Sequence, residues 1–181
     1  MKLADYTPDI KINHTIGLLI KNEKLLMVEK KQGFGQGKIL AGAGGKVKNQ
    51  ETIEQAVIRE TAEELKIKIL DPQPIAKLGF FFPYAESPDR RGSYGFVFLV
   101  DQWEGEPQET EEVCPLWFDL DKIPYQRMWE DAIHWLPLVL RRQKLRANFL
   151  YNADSQILDH NIEMVANHSL TFNPHEIFSL S

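Results

Sequence analysis

Glu60, Glu63 and Glu64 stand three and four residues apart within a stretch patterned for a helix. At about 100° per residue, those spacings lay the three carboxylates side by side along one stripe. Like charges so placed destabilise a helix by about 0.2–0.5 kcal/mol per pair, and no lysine lies between them. A hard divalent cation turns that repulsion into binding. Donor sets made of oxygen alone favour magnesium, manganese or calcium over zinc. Three glutamates by themselves are more often a solvated acidic face. What precedes them shifts the balance toward chemistry. Thr52 and Gln55 form a capping box, and a loop holding Gly33, Gly35, Gly37, Gly42, Gly44 and Gly45 runs up to it. Glycines admit unusual backbone angles and close approach of a ligand. Loop and helix start together suit phosphate oxygens meeting a metal ion.

The loop is not a Walker phosphate loop, because Val47 follows Lys46 where Ser or Thr would hold the metal. Around it, Ile16 to Ile20 and Lys24 to Val28 read as a hairpin of buried strands joined by Lys21, Asn22 and Glu23. The acidic helix runs from Thr52 to about Lys66, with Glu54 well placed in the first turn. Its apolar arc holds Ile53, Val57, Ile58, Thr61, Ala62 and Leu65. Strands are expected at Ile75 to Phe82, Gly95 to Val100 and Pro115 to Leu120. A second helix is expected over Trp129 to Arg142, with Pro137 marking a kink or a division in two. Phe149 to Tyr151 and Gln156 to Asp159 pattern as a late hairpin. Strands interleaved with two helices predict an α/β/α sandwich with a mixed sheet between helices. The 181 residues suit one domain, with a core over about 13–165 and a C-terminal extension over 166–181.

The segment from Gly45 to Ile67 resembles the Nudix box. That motif reads Gly, five residues, Glu, seven residues, Arg-Glu, an aliphatic, any residue, Glu-Glu, any residue, Gly, an aliphatic. Gly45, Glu51, Arg59, Glu60, Glu63, Glu64 and Ile67 meet it. Thr61 replaces an aliphatic and Lys66 replaces the glycine, and neither change removes a carboxylate. Thr61 still offers a methyl group to the core. Lys66 is expected to end the helix less sharply and to distort the exit turn. The resemblance implies that Glu60, Glu63 and Glu64 bind the metal, with the Gly44 carbonyl as a further ligand. It implies Mg2+, with Mn2+ as an alternative. Arg59 and Glu51 would hold the carboxylates by salt bridges, a role that structure alone explains almost as well. The implied reaction is attack of water on a phosphorus atom of a nucleoside diphosphate linked to a further group. A carboxylate acts as base, and the metal neutralises the phosphates.

The resemblance extends over roughly residues 13–165 and is greatest to the branch acting on oxidised purine nucleoside triphosphates, with its MutT-like bacterial relatives. The matching stretches are Lys30 to Gly35, Gly44 to Val47, Pro115 to Phe118 and Ile123 to Trp129. Trp135, Pro137 and Ile157 to Asp159 fit as well. By position, Glu112 matches a loop glutamate near the metal, a candidate base or extra ligand. Trp129 matches an aromatic platform, Asp131 a purine-reading acid, Phe34 a pocket residue and Lys30 a basic residue at the pocket mouth. Each also has a plain reading: an acidic loop facing water, a helix-start aromatic, ordinary loop or strand residues. Two departures bear on the base. Ala41 stands near the place of a purine-reading asparagine, and Ala132 replaces the second acid of the pocket.

The net charge of -5 argues against binding a nucleic-acid polymer through its backbone. A lone Cys114 excludes an internal disulfide and reads as a buried structural thiol. The five histidines form no HExxH or other metal spacing. No apolar run reaches bilayer length and no leader-like run opens the chain, so no membrane partner and a cytoplasmic location are expected. Oligomeric state is not written in the sequence. Pro88 to Gly92 reads as a solvated loop between strands. The leading reading is a triphosphate pyrophosphohydrolase releasing a monophosphate and pyrophosphate, with a sanitising role against oxidised purines. The alternatives are hydrolysis of ADP-ribose or a dinucleotide, for which Pro83 and Tyr84 are a weak signal, and a non-catalytic Nudix-like binding module.

Overall fold

The computed structural model describes residues 1–7, 10, 12–33, 35–166 and 170. The hairpin expected near the N-terminus is β1 (Ile12–Lys21) and β2 (Lys24–Lys30). Its turn residues Asn22 and Glu23 both have positive φ, of 52° and 58°, the backbone that matches the twist of the flanking strands. A short β3 (Ile39–Leu40) leads into α1 (Ile53–Leu65). There follow β4 (Lys68–Leu70), β5 (Gln73–Phe81), β6 (Gly92–Val100), β7 (Gln102–Glu104) and β8 (Val113–Asp119). The chain continues through α2 (Ala132–Leu140), β9 (Leu145–Tyr151) and β10 (Ile157–Met164).

The main sheet is eight-stranded, ordered β10-β9-β5-β6-β1-β2-β3, with β8 also paired to β2. It is mixed: β1 runs parallel to β6 and β5 parallel to β9, while the other pairs are antiparallel. Alternate residues of each strand point to opposite faces. On one face, Leu19, Leu26, Phe96 and Phe98 pack with Ile53, Val57 and Leu65 of α1. On the other, Leu18, Leu25, Leu78 and Phe149 pack with Trp135, Leu136 and Val139 of α2. The α/β/α sandwich is therefore present. β4 and β7 form a separate two-stranded sheet that no local pattern announced.

Three expectations need correction. The second helix is shorter than 129–142. Trp129 and Glu130 precede it, Asp131 sits at its N-cap position, and Pro137 lies inside it without dividing it. The exit turn of α1 is not distorted, because Lys66 adopts the left-handed conformation (φ 59°, ψ 31°) that glycine would supply. Cys114 is half-buried rather than buried.

Candidate active site

Residues 43–47 run alongside the start of β1. Gly17 N–H donates to the Ala43 carbonyl (2.7 Å), Thr15 N–H to Gly45 (2.9 Å) and Val47 N–H to Asn13 (2.9 Å). These bonds fix the glycine loop to the sheet, and they leave no room for side chains. A Cβ on Gly44 would overlap the Thr15 carbonyl, and one on Gly45 would overlap the Glu60 carboxylate. Gly45 is glycine because the first site carboxylate lies directly against it. α1 approaches β1 equally closely at Gly17, where a Cβ would lie 3.3 Å from both Val57 Cγ2 and Thr61 Cγ2. The Thr61 methyl thus faces the core, and its hydroxyl is satisfied by donating to the Val57 carbonyl (2.6 Å).

Thr52 starts the helix through a complete capping box: Gln55 N–H donates to Thr52 Oγ1 (3.1 Å) and Thr52 N–H to Gln55 Oε1 (2.8 Å). About two turns later, Arg59 becomes the hub of the acidic cluster. Its Nε and Nη2 grip Glu51 in two-pronged fashion (2.9 and 2.6 Å), and Nη2 also donates to the Lys46 carbonyl (3.0 Å). Its Nη1 reaches both Glu60 (2.6 Å) and Glu63 (3.0 Å). Lys48 Nζ lies 3.7 Å from the other Glu63 oxygen. The fork geometry of guanidinium suits this task and an ammonium does not. The Arg59 hydrogen bond holds the Glu51 carboxyl below its ordinary range, and the bonds to Glu51 and Glu60 hold Arg59 firmly protonated. Like-charge repulsion along the stripe is therefore relieved from the side, by a residue one position before Glu60.

Glu64 stands apart from that hub. It is only 6% exposed, and one oxygen accepts from Gly44 N–H (2.9 Å). Burial pushes its carboxyl up to about 7; the Gly44 N–H and Lys30 pull against this, and Glu60 and Glu112 add to it. A carboxyl raised toward neutrality by burial is a common feature of groups that exchange protons at reactive sites. Lys30 and Glu112 are thereby placed within electrostatic reach of Glu64, as expected from the motif positions.

The residues around Trp129 and Asp131 come from more distant elements. Trp129 is half-buried. Its ring packs against Gly35, where a Cβ would lie 3.4 Å from Cζ2, and Lys38 Nζ sits 4.8 Å over the ring. Gly35 has φ of +83°, so its type is set by both backbone and neighbour. Trp129 borders a cleft of about 520 Å3 together with Lys38, Tyr125, Gln126, Met128, Glu130, Asp154 and Ser155. Asp131 is 5% exposed. Trp135 Nε1 donates to its Oδ2 (2.7 Å) and the Tyr151 hydroxyl to its Oδ1 (2.8 Å). Burial raises the Asp131 carboxyl, and those two donors oppose the rise. Ala41 and Ala132, which stand where base-reading groups were expected, are both core residues at 6% and 3% exposure. Phe34 lies outside the described residues. Lys38 and Tyr151 stand against Trp129 and Asp131 although the sequence did not single them out, and Trp135, matched in sequence, also bonds Asp131. Lys38 carries no motif, and Tyr151 reaches Asp131 across twenty residues.

With this geometry, comparison with known proteins is informative. Residues 12–139 match the NUDIX domain family. The chain belongs to the Nudix family. It is 38% identical to the oxidized purine nucleoside triphosphate hydrolase of Danio rerio over 152 residues, covering 83% of this chain and 94% of that one. It is 34% identical to the protein of the same name from Mus musculus, covering 84% and 94%. A crystal structure of a mutator MutT protein from Bacillus halodurans shares the fold, with a TM-score of 0.73 at 21% identity over 84% of this chain and 98% of that one. This chain is thus a Nudix hydrolase, and its Nudix box is the Gly45-to-Ile67 segment just described.

Family membership implies a divalent cation, and the donor set is chemically suited to one: hard carboxylate oxygens from Glu60, Glu63 and Glu64, with Glu112 nearby. Among the described residues, no three acidic, histidine or cysteine side chains converge on a single point as they stand. Glu60 and Glu63 bond to Arg59, and Glu64 bonds to Gly44 N–H. No helix among the described residues is long and apolar enough to cross a membrane.

Proposed function

We propose that this Nudix hydrolase is a Mg2+-dependent nucleoside triphosphate pyrophosphohydrolase that releases a nucleoside monophosphate and pyrophosphate, with oxidised purine nucleotides as substrates. The observation that carries this reading is the intact acidic stripe, keyed to the glycine loop by Gly45 under Glu60 and by Gly44 N–H on Glu64. A non-catalytic module has no use for that preserved set. The substrate class rests on relatives of that name matching over nearly their whole length.

In this reading Glu60, Glu63 and Glu64 hold the cation, with the Gly44 carbonyl and Glu112 as further ligands, and Mn2+ serves in place of Mg2+. When bound, the cation supplies neutralisation of the phosphate chain and of the leaving pyrophosphate. Arg59, fixed by Glu51, keeps Glu60 and Glu63 aligned along the helix. Glu64 or Glu112 accepts the proton of the attacking water. Lys30 offsets the acidic charge beside the phosphates. Trp129 offers its indole face to the base, and Phe34 is carried over as a pocket residue from its position in the motif alone. Asp131 reads the base edge through the remaining lone pairs of oxygens that already hold Trp135 and Tyr151. The single domain is proposed to span 1–181, with 166–181 as an extension.

The test is turnover, with Mg2+, of normal and oxidised purine dNTPs, ADP-ribose and dinucleotides. Pyrophosphate release from oxidised purine triphosphates is the expected result. Turnover of ADP-ribose alone would overturn the substrate assignment.

A further inference from the structure

A helix leaves its last four carbonyls without partners inside the helix. In α1 these belong to Ala62, Glu63, Glu64 and Leu65, and each is met. Lys66 N–H donates to Ala62 (3.1 Å) and Lys66 Nζ to Glu63 (3.0 Å). The other two are met from a distant loop. The Thr110 hydroxyl donates to the Glu64 carbonyl (3.1 Å), and Gln108 N–H donates to Leu65 (2.9 Å). The same loop is tied to the end of β2. Lys31 Nζ donates to Glu109 Oε1 (2.8 Å) and to the Thr110 carbonyl (2.7 Å), and Lys31 N–H donates to the Glu112 carbonyl (2.9 Å). Thr110 closes the turn itself, its N–H donating to the Val113 carbonyl (3.0 Å).

This arrangement is electrostatically odd. Glu109, Glu111 and Glu112 are brought to the C-terminal, negative end of a helix whose later turns already carry Glu60, Glu63 and Glu64. Left to charge alone, the loop would swing away. Lys31 removes part of the repulsion, and the Thr110 hydroxyl supplies the one side-chain bond between the loop and the residue that carries the buried carboxyl.

We propose that Thr110 is a positioning residue for hydrolysis: its hydroxyl, bonded to the Glu64 backbone and backed by Lys31, sets Glu112 at a fixed distance from Glu64. This rests on the metal-site reading of Glu64 and Glu112 above. Residues that orient metal-site groups from behind typically change metal affinity or activity by about 10–100-fold when removed. Being one bond further back, Thr110 is expected at the low end.

The experiment compares Thr110→Val, which keeps the shape and loses the hydroxyl, with Thr110→Ser, which keeps the hydroxyl. Mn2+ binding to the nucleotide-free protein is followed by electron paramagnetic resonance, alongside kcat and KM for a triphosphate substrate. Thr110→Val is expected to weaken Mn2+ binding and lower kcat by about 10-fold, with KM little changed and the fold intact by circular dichroism. Thr110→Ser is expected to restore both. In a Glu112→Gln background, Thr110→Val should add little, because the two act through one group. Effects that multiply in the double variant, or a Thr110→Val that lowers only the thermal midpoint, overturn the proposal. Should Thr110→Val fail to fold, Lys31→Met tests the same tether by the same readouts. The substrate assignment fails separately: Thr110-dependent Mn2+ binding without turnover of any oxidised purine triphosphate removes that assignment and leaves the tether standing.

Discussion

Replacing Glu64 by glutamine separates what the fold needs from what the chemistry needs. In the cation-free protein, burial lifts the Glu64 carboxyl from 4.5 to about 7. Between those two values the folded state binds more protons than the unfolded state, so stability falls as pH rises through that window. Above pH 7 the full cost is present. A shift of that size corresponds to about 3 kcal/mol at 1.36 kcal/mol per unit. Glutamine carries no charge and still accepts from Gly44 N–H, so Glu64→Gln escapes the cost. For a domain of this size, 1 kcal/mol moves the thermal midpoint by about 2–4 °C. With EDTA, Glu64→Gln should therefore melt roughly 6–12 °C above the parent at pH 8 and close to it at pH 5. Saturating Mg2+ should reverse the order, since only the parent binds it well and gains stability by mass action. Turnover should be lost in the folded variant. Equal midpoints at pH 8 in EDTA would refute the desolvation argument, and unchanged turnover would refute Glu64 as part of the metal site.

Three further outcomes follow from the same geometry. Arg59→Lys keeps the charge but loses the two-pronged grip on Glu51. With Arg59 22% exposed, a loss of about 1–2 kcal/mol is expected by urea unfolding, together with weaker Mn2+ binding. Unaltered Mn2+ affinity would mean that Arg59 does not align Glu60 and Glu63. Lys66→Gly relieves a left-handed residue and should stabilise by about 1 kcal/mol; a drop in melting temperature would show that the Lys66 Nζ bond to Glu63 outweighs the strain. Tyr151→Phe removes one of two donors to the buried Asp131, costing about 2 kcal/mol. Urea unfolding checks it, and an unchanged stability would show that the buried carboxyl does not depend on the Tyr151 hydroxyl.

The Nudix box was readable in the chain because its parts are contiguous. Gly45, Glu51, Arg59, Glu60, Glu63 and Glu64 lie within one loop and one helix, where spacing alone decides which side chains are neighbours. The two helices and most strands were legible for the same reason, since apolar periodicity is local. Lys66 was misjudged because its side chain provides a carbonyl partner that offsets an unfavourable φ. β4 and β7 were missed because three-residue strands carry no period. The surroundings of Trp129 and Asp131 were least legible. Asp131 is held by Tyr151 from β9 and Trp135 from α2, and Lys38 reaches Trp129 across ninety-one residues of sequence. Such contacts are set by sheet order, which no window of sequence contains.

The acidic stripe also explains how a cluster built for a cation remains folded before one arrives. Every carboxylate in it already has a donor, so a cation exchanges contacts rather than filling a gap. Arg59 makes that exchange cheap. Its Nε and Nη2 are committed to Glu51 and the Lys46 carbonyl, and only Nη1 touches Glu60 and Glu63. Taking Glu60 and Glu63 oxygens therefore breaks bonds to one guanidinium nitrogen while the other two keep the side chain in place. The helix has no need to move, because its start is locked by the capping box and its end by Thr110 and Gln108. On the proposed metal-site reading, what would change is protonation. Glu64, whose carboxyl burial raises to about 7, would release its proton as a cation enters, so cation affinity is expected to rise with pH through about 7. The same buried carboxyl that costs stability would then make the site responsive to both cation and pH.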